Sequence, residues 1–235
     1  MSHLITLEAV DVDGAVREAE DAAVGAAVNR GQFIKRGAIA GGSFLAGSVL
    51  FGGLMSPAQA AISTKNRSKR NDVKILNYAL TLEYLEEAFY NQAVAANAFA
   101  TADLRSYAAA VRAHESAHVK AIRKVLGKAA IKSPSFDFGD TVTDSSKFAM
   151  TAQTLEDTGV AAYAGQGPNI AQHAVVRAAL SIHSVEARHA AWIRFLNGGG
   201  ATGAATAAQP APASFDKPLT ERTVLGAVKK TGFIK

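Results

Sequence analysis

The sequence predicts an all-α protein: an antiparallel four-helix bundle of two helical hairpins joined by one long crossover, with an N-terminal signal segment and a C-terminal tail. Three observations carry this. Apolar residues recur at helical spacing through four stretches between residues 71 and 197. Turn signals group those stretches into two closely joined pairs, with the non-periodic segment 128–143 between the pairs. One constellation also occurs twice: a glutamate, a tyrosine seven residues later, and Glu-x-x-His about thirty residues on. The first copy is Glu83, Tyr90, Glu115 and His118; the second is Glu156, Tyr163, Glu186 and His189.

The 235 residues are 49% hydrophobic, enough for one large domain with a real core. There is no cysteine, which excludes disulfides, thiolate metal sites and iron–sulfur clusters. Any metal must be held by oxygen and nitrogen. Residues 1–60 carry four Lys/Arg against six Asp/Glu, whereas residues 61–235 carry 21 against 14. Much of that excess lies in the run Lys65-Asn66-Arg67-Ser68-Lys69-Arg70. No aromatic side chain interleaves the run, so it reads as a solvated basic face rather than a nucleic-acid surface.

Residues 1–60 form the expected export signal. Asn29-Arg30-Gly31-Gln32-Phe33-Ile34-Lys35-Arg36 is basic, 38–55 is apolar, and Ser56-Pro57-Ala58-Gln59-Ala60 gives a small-residue cleavage site after Ala60. The Arg-x-x-Phe-Ile-Lys portion resembles a twin-arginine signal, with Gly31 standing where the second arginine belongs. The competing reading is an uncleaved anchor, but five glycines and two serines make the apolar run weakly hydrophobic. Export to the periplasm or cell envelope follows, with membrane contact only through this segment if it is retained.

The bundle is expected over residues 61–197. The first helix runs from Asp72 to about Asn97, with Ile75, Ala79, Leu82, Glu86, Phe89 and Ala93 at helical spacing. Thr101 and Asp103 mark a new N-terminus, and Gly127 ends the second helix. Glu83 lies 14 residues before Asn97 and Glu115 lies 14 after Thr101, so one tight turn brings them level. Segment 128–143 is long enough, at about 50 Å when extended, to travel the length of a bundle. The third helix starts near Asp144 and breaks at Gly165-Gln166-Gly167-Pro168; the fourth ends at Asn197-Gly198. Glu156 is 9 residues before Gly165 but Glu186 is 17 after Asn169. Hence either the connection extends to about Gln172 or the fourth helix begins with an overhanging turn. Residues 198–213 read as a flexible Gly/Ala/Pro linker. The tail 214–235 is apolar enough to dock on the bundle or on a second subunit of a homo-oligomer.

Glu-x-x-His on a helix puts both side chains on one face, a turn apart. With 10 Glu and 6 His in the chain, chance supplies about 0.26 such pairs on the spacing of helix faces. Two occur, both inside helices. Four carboxylates and two imidazoles in a bundle core are costly to bury unless cations neutralise them. The bland alternative is a solvated polar stripe. Glu86 or Glu87 competes with Glu83, and Asp157 adjoins Glu156. The tyrosine spacing favours Glu83 and Glu156, because Tyr90 and Tyr163 follow them by two turns on the same faces and can each donate a hydrogen bond to a carboxylate. His114-Glu115-Ser116-Ala117-His118 also matches the zinc-protease helix H-E-x-x-H. No further ligand follows at the required spacing, and that reading leaves Glu83, Glu156, Glu186 and His189 unused. His114, His173 and His183 then take ordinary roles, with His183 one turn before Glu186.

The segments 76–90 (LNYALTLEYLEEAFY), 155–163 (LEDTGVAAY) and 184–190 (SVEARHA) resemble the ferritin-like superfamily, in particular the domain of exported bacterial and plant desiccation-related proteins. That resemblance implies a di-metal carboxylate centre in which Glu115 and Glu186 bridge two ions. Glu83 with His118 would complete one ion, and Glu156 with His189 the other. It further implies two iron ions, loaded as ferrous iron, reacting with oxygen or hydrogen peroxide. Two manganese ions dismuting peroxide, or a structural stress protein, are the alternatives.

Overall fold

The computed structural model describes residues 62–199 and 209–235. The export segment read over residues 1–60 and most of the linker lie outside them. Among the described residues there are five α-helices and no strand: α1 (Lys69–Ala96), α2 (Ala102–Leu126), α3 (Ser145–Gln166), α4 (His173–Arg194) and α5 (Glu221–Thr231). None of these helices is long and apolar enough to cross a membrane.

Local chemistry sets the helix ends. Ser68, Thr101, Asp144 and Thr220 each accept a hydrogen bond from the backbone N–H three residues on, which caps α1, α2, α3 and α5. Helix α1 thus begins at Lys69, three residues before the expected Asp72. A serine cap outweighs the unfavourable meeting of Lys69 and Arg70 with the positive helix end. Asn97 closes α1 in the left-handed conformation at φ 52°, and Asn is tolerated there for its short side chain.

Helix α4 starts after Gln172 without a side-chain cap of its own. Asp72 does that work from α1: its carboxylate accepts from Ala171 N at 2.8 Å, Gln172 N at 3.0 Å and Gln172 Nε2 at 3.0 Å. The connection from α3 therefore extends to Gln172, through a short 3₁₀ turn at Gly167–Asn169, which restores Glu186 to the height of the other glutamates. At the far end α4 stops as an α-helix at Arg194 and unwinds through one wider turn, Phe195–Gly199, with Gly198 at φ 96°.

Segment 127–144 links the hairpins with two short 3₁₀ turns. It is tied to α1 by Asn77, which donates to Ala129 O at 2.9 Å and accepts from Ile131 N at 3.0 Å. Phe138, 2% exposed, then packs edge-on against Phe89.

Two apolar clusters fill the bundle. One contains Phe89, Tyr90, Tyr107, Phe148 and Ile193. The other contains Ile75, Leu80, Val119, Ile122 and Ile182. On α2 and α4 the repeated glutamates and histidines lie between members of the two sets, so these polar groups occupy the middle of an apolar interior.

The tail packs on its own bundle. Val224 and Val228 of α5 are buried in the first cluster, Leu219 N donates to Ala161 O at 3.0 Å, and Lys235 N donates to Ser135 O at 3.0 Å. Gly165 lets the segment approach, because a Cβ there would overlap the Leu219 carbonyl. Gly165→Ala is therefore expected to lift the tail and cost on the order of 1–3 kcal/mol. Denaturant melts together with faster protease cleavage near residue 219 would show it.

Candidate metal centre

Each of the four helices contributes from its middle. Glu83 comes from α1, Glu115 and His118 from α2, Glu156 from α3, and Glu186 and His189 from α4. Glu115, Glu156 and Glu186 are 0% exposed and Glu83 is 1% exposed. Their donor atoms form two groups, Glu83–Glu115–His118–Glu186 and Glu115–Glu156–Glu186–His189, each with its atoms within 4.8 Å of one another. Glu115 and Glu186 belong to both. All six repeated residues thus meet, rather than forming a solvated stripe.

The fit to cations can be tested on the polar atoms themselves. His118 Nδ1 stands 3.3 Å from Glu83 Oε2, 3.2 Å from Glu115 Oε2 and 2.9 Å from Glu186 Oε1. His189 Nδ1 stands 3.2 Å from Glu115 Oε1, 3.2 Å from Glu156 Oε2 and 3.6 Å from Glu186 Oε2. One ring nitrogen carries at most one proton, so it cannot serve three acceptors. Correspondingly, Glu83 Oε2, Glu115 Oε1 and both oxygens of Glu186 are buried without a hydrogen-bond partner, despite their closeness to the rings. Orphaned acceptors converging with a nitrogen on one point are what a cation satisfies.

The tyrosines hold the outer glutamates, and they do so crosswise. Tyr90 of α1 donates to Glu156 Oε1 of α3, while Tyr163 of α3 donates to Glu83 Oε1 of α1 at 2.5 Å. Sequence spacing put each tyrosine on the face of the glutamate two turns before it. In the bundle that shared face looks across the core, so each hydroxyl meets the partner helix's carboxylate.

Tyr107 extends one side of this arrangement, its hydroxyl 2.9 Å from that of Tyr90. Sequence reading passed over Tyr107. The signal was its place two turns before Glu115 on the same helical face.

The remaining candidates separate cleanly. Asp157 turns to Arg194, whose Nε donates to it at 3.1 Å. Glu87 is half-buried and belongs to neither group. Glu86 is buried at 3% exposure beside the glutamates but outside both groups. His114 is exposed, yet its Nδ1 lies 2.8 Å from His189 Nε2 and the rings stack at 5.1 Å. It therefore fixes the orientation of His189 and contributes to neither group, whereas the adjoining Glu115 belongs to both. That placement does not fit the H-E-x-x-H protease helix, in which both histidines are ligands. His183 Nδ1 is buried without a hydrogen-bond partner, so that nitrogen does not orient Glu186.

The match to the ferritin-like domain family spans residues 71–199, and the chain belongs to that family. No curated protein matches the chain. The fold and the buried Glu/His cluster together fit a di-metal carboxylate protein.

Without metal the site must be neutralised by protons. Burial, aided by Glu186, pushes the Glu115 carboxyl well up, and burial raises Glu156 to about 7. For His118 and His189, burial opposes the charge, but the surrounding carboxylates prevail and push both up to about 12. Glu186 goes down, to about 2: burial opposes ionisation, and His118 and His189 override it.

The raised groups hold protons in the folded chain that the unfolded chain has released. Their stabilisation is complete below the ordinary values of 4.5 for Glu and 6.5 for His, and is lost as pH climbs toward the folded ones. Glu186 acts in the opposite sense, but only between 4.5 and about 2. Metal-free protein is therefore expected to melt at lower temperature at about pH 8 than at about pH 5, with a smaller decline once metal is bound. Calorimetry with chelator and with added divalent metal checks this, as does proton release on metal addition.

Proposed function

We propose that the protein is an exported di-iron protein that oxidises ferrous iron with dioxygen or hydrogen peroxide, protecting the cell envelope against oxidative damage. The observation that carries this reading is the sharing of Glu115 and Glu186 between the two donor groups. Two groups that share two carboxylates suit a pair of ions held close together. Export rests on the basic, apolar and small-residue segments of residues 29–60.

In this reading Glu83 and His118 would hold one ion and Glu156 and His189 the other, with Glu115 and Glu186 available to both. Iron bound there would supply the electrons that reduce the oxidant. Each group would offer an ion one histidine nitrogen and otherwise anionic oxygen, a donor set that favours the higher oxidation state.

The chain's own part is positional. Tyr163 and Tyr90 fix the outer carboxylates by hydrogen bonds, which sets the direction of their free lone pairs. His114 does the same for His189. The two apolar clusters exclude water, so a charge change at the centre is felt strongly by these groups. The same donors suit manganese, for which peroxide dismutation is the corresponding activity.

Aerobic addition of ferrous iron to metal-free protein is expected to give a fast rise in ferric absorbance at a stoichiometry of two ions. Glu115→Ala should slow it by at least about 100-fold, since it removes a donor from both groups. Equal rates for parent and variant would reject the reading. A strong catalase rate with manganese alone would transfer it to that metal.

A further inference from the structure

The two hairpins carry one pattern, and comparing them position by position isolates a residue with no counterpart. Glu83 corresponds to Glu156 and Tyr90 to Tyr163. The residue one turn after the first glutamate is Glu86 in α1 and Gly159 in α3. Glu86 is 3% exposed, yet it takes part in none of the hydrogen bonds that order the site. The charges acting on it most strongly are four other carboxylates, those of Glu186, Glu156, Glu115 and Glu83. A fifth acid placed among four, away from water, is a costly arrangement unless a cation compensates it.

Gly159 shows where that acid points. A Cβ built on Gly159 would stand 3.3 Å from Glu86 Oε1 and 3.6 Å from Glu186 Oε2. The Glu86 side chain thus crosses from α1 toward α3 and ends in the space its own counterpart would fill, beside Glu186. Both oxygens of Glu186 are buried and lack a hydrogen-bond partner. The orphaned acceptors and the extra carboxylate face the same small volume.

We propose that Glu86 is a seventh metal-binding side chain of this centre, reaching the ions through the notch left by Gly159 and favouring them in the trivalent state. This rests on the reading that the Glu/His cluster holds two metal ions. Charge counting gives the preference for oxidation state. Glu83, Glu115, Glu156 and Glu186 together balance two divalent cations, and a further anionic oxygen gains most when the ions carry more charge. Because α3 offers glycine at the equivalent position, the centre has this donor on one side only.

The test uses redox-inert ions, so that it does not depend on turnover. Binding of zinc(II) and gallium(III) to the full chain would be measured by chelator competition, for the parent, Glu86→Gln, Gly159→Ala and the double variant. Glu86→Gln is expected to weaken gallium(III) by roughly tenfold or more and zinc(II) by no more than about threefold, in the range for tuning groups at metal sites. Gly159→Ala should weaken gallium(III) in the same direction, because its methyl group would crowd Glu86 Oε1 at 3.3 Å and displace it. The double variant should lose no more than either single one, as expected of two changes acting through one group.

Metal-free Glu86→Gln should melt no lower than the parent, which separates a lost ligand from a damaged fold. Parent-like gallium(III) binding by Glu86→Gln would overturn the inference while leaving the two-ion centre intact. A parent chain that fails to bind two ions of either kind would remove the centre, and this inference with it.

Discussion

The interior of this bundle is dominated by an imbalance of charge. Four glutamates of the donor groups and Glu86 are buried among apolar side chains, against two histidines. Nothing in the apolar packing on either side answers those charges. Hydrogen bonds from Tyr90 and Tyr163 reach only one oxygen each of Glu156 and Glu83. The other site oxygens are answered by protons or by cations, and the two states leave different marks on the chain. Protons neutralise the acids one at a time and leave the acceptors facing each histidine unequally served. Two cations can satisfy both groups together, because the shared residues, Glu115 and Glu186, offer two oxygens each.

That imbalance also explains which parts of the structure were legible in the sequence. Side chains too costly to bury singly stand out when they recur, and the Glu-x-x-His pairs with their upstream Glu and Tyr recur at matched spacing. The helices around them were equally readable, since Thr101, Asp144 and Gly127 are ordinary start and stop residues. The harder features are those in which one helix completes another. Asp72 reads as an acidic first-turn residue of α1, but its bonds go to the backbone of residues 171 and 172 at the start of α4. Likewise the crosswise pairing of the tyrosines depends on how faces meet in three dimensions, which spacing along one helix does not specify. The docking of the tail depends on a single missing side chain at Gly165, invisible until Leu219 is placed against it.

The internal repeat is close enough for its departures to carry meaning. Adding the interval between Glu115 and Glu186 to Tyr107 leads to Ala178. Where Tyr107 bonds Tyr90 and packs into the aromatic cluster, Ala178 instead lines an apolar cavity of about 60 Å³ whose wall includes Tyr163 and Leu82. One tyrosine of the pair is therefore clamped by a second hydroxyl and the rings of Phe89 and Phe148. The other has its single hydrogen bond to Glu83 and an adjoining void lined by small and aliphatic groups.

The exchange of Glu86 for Gly159 breaks the repeat a second time, and the two departures act on different quantities. Ala178 in place of a tyrosine relaxes packing beside Tyr163, because a void forfeits the dispersion contacts that would lock that ring. Glu86 in place of a glycine puts a further carboxyl group beside Glu186 and tightens the space between α1 and α3. A bundle with strict internal symmetry would present two equivalent ions with equivalent surroundings. Here each hairpin retains the same three donor side chains, while the groups behind them differ in packing and in chemistry. Two ions held by like ligands would then differ in affinity and in the ease with which they change oxidation state, for reasons that lie in residues 86, 107, 159 and 178 rather than in the ligands.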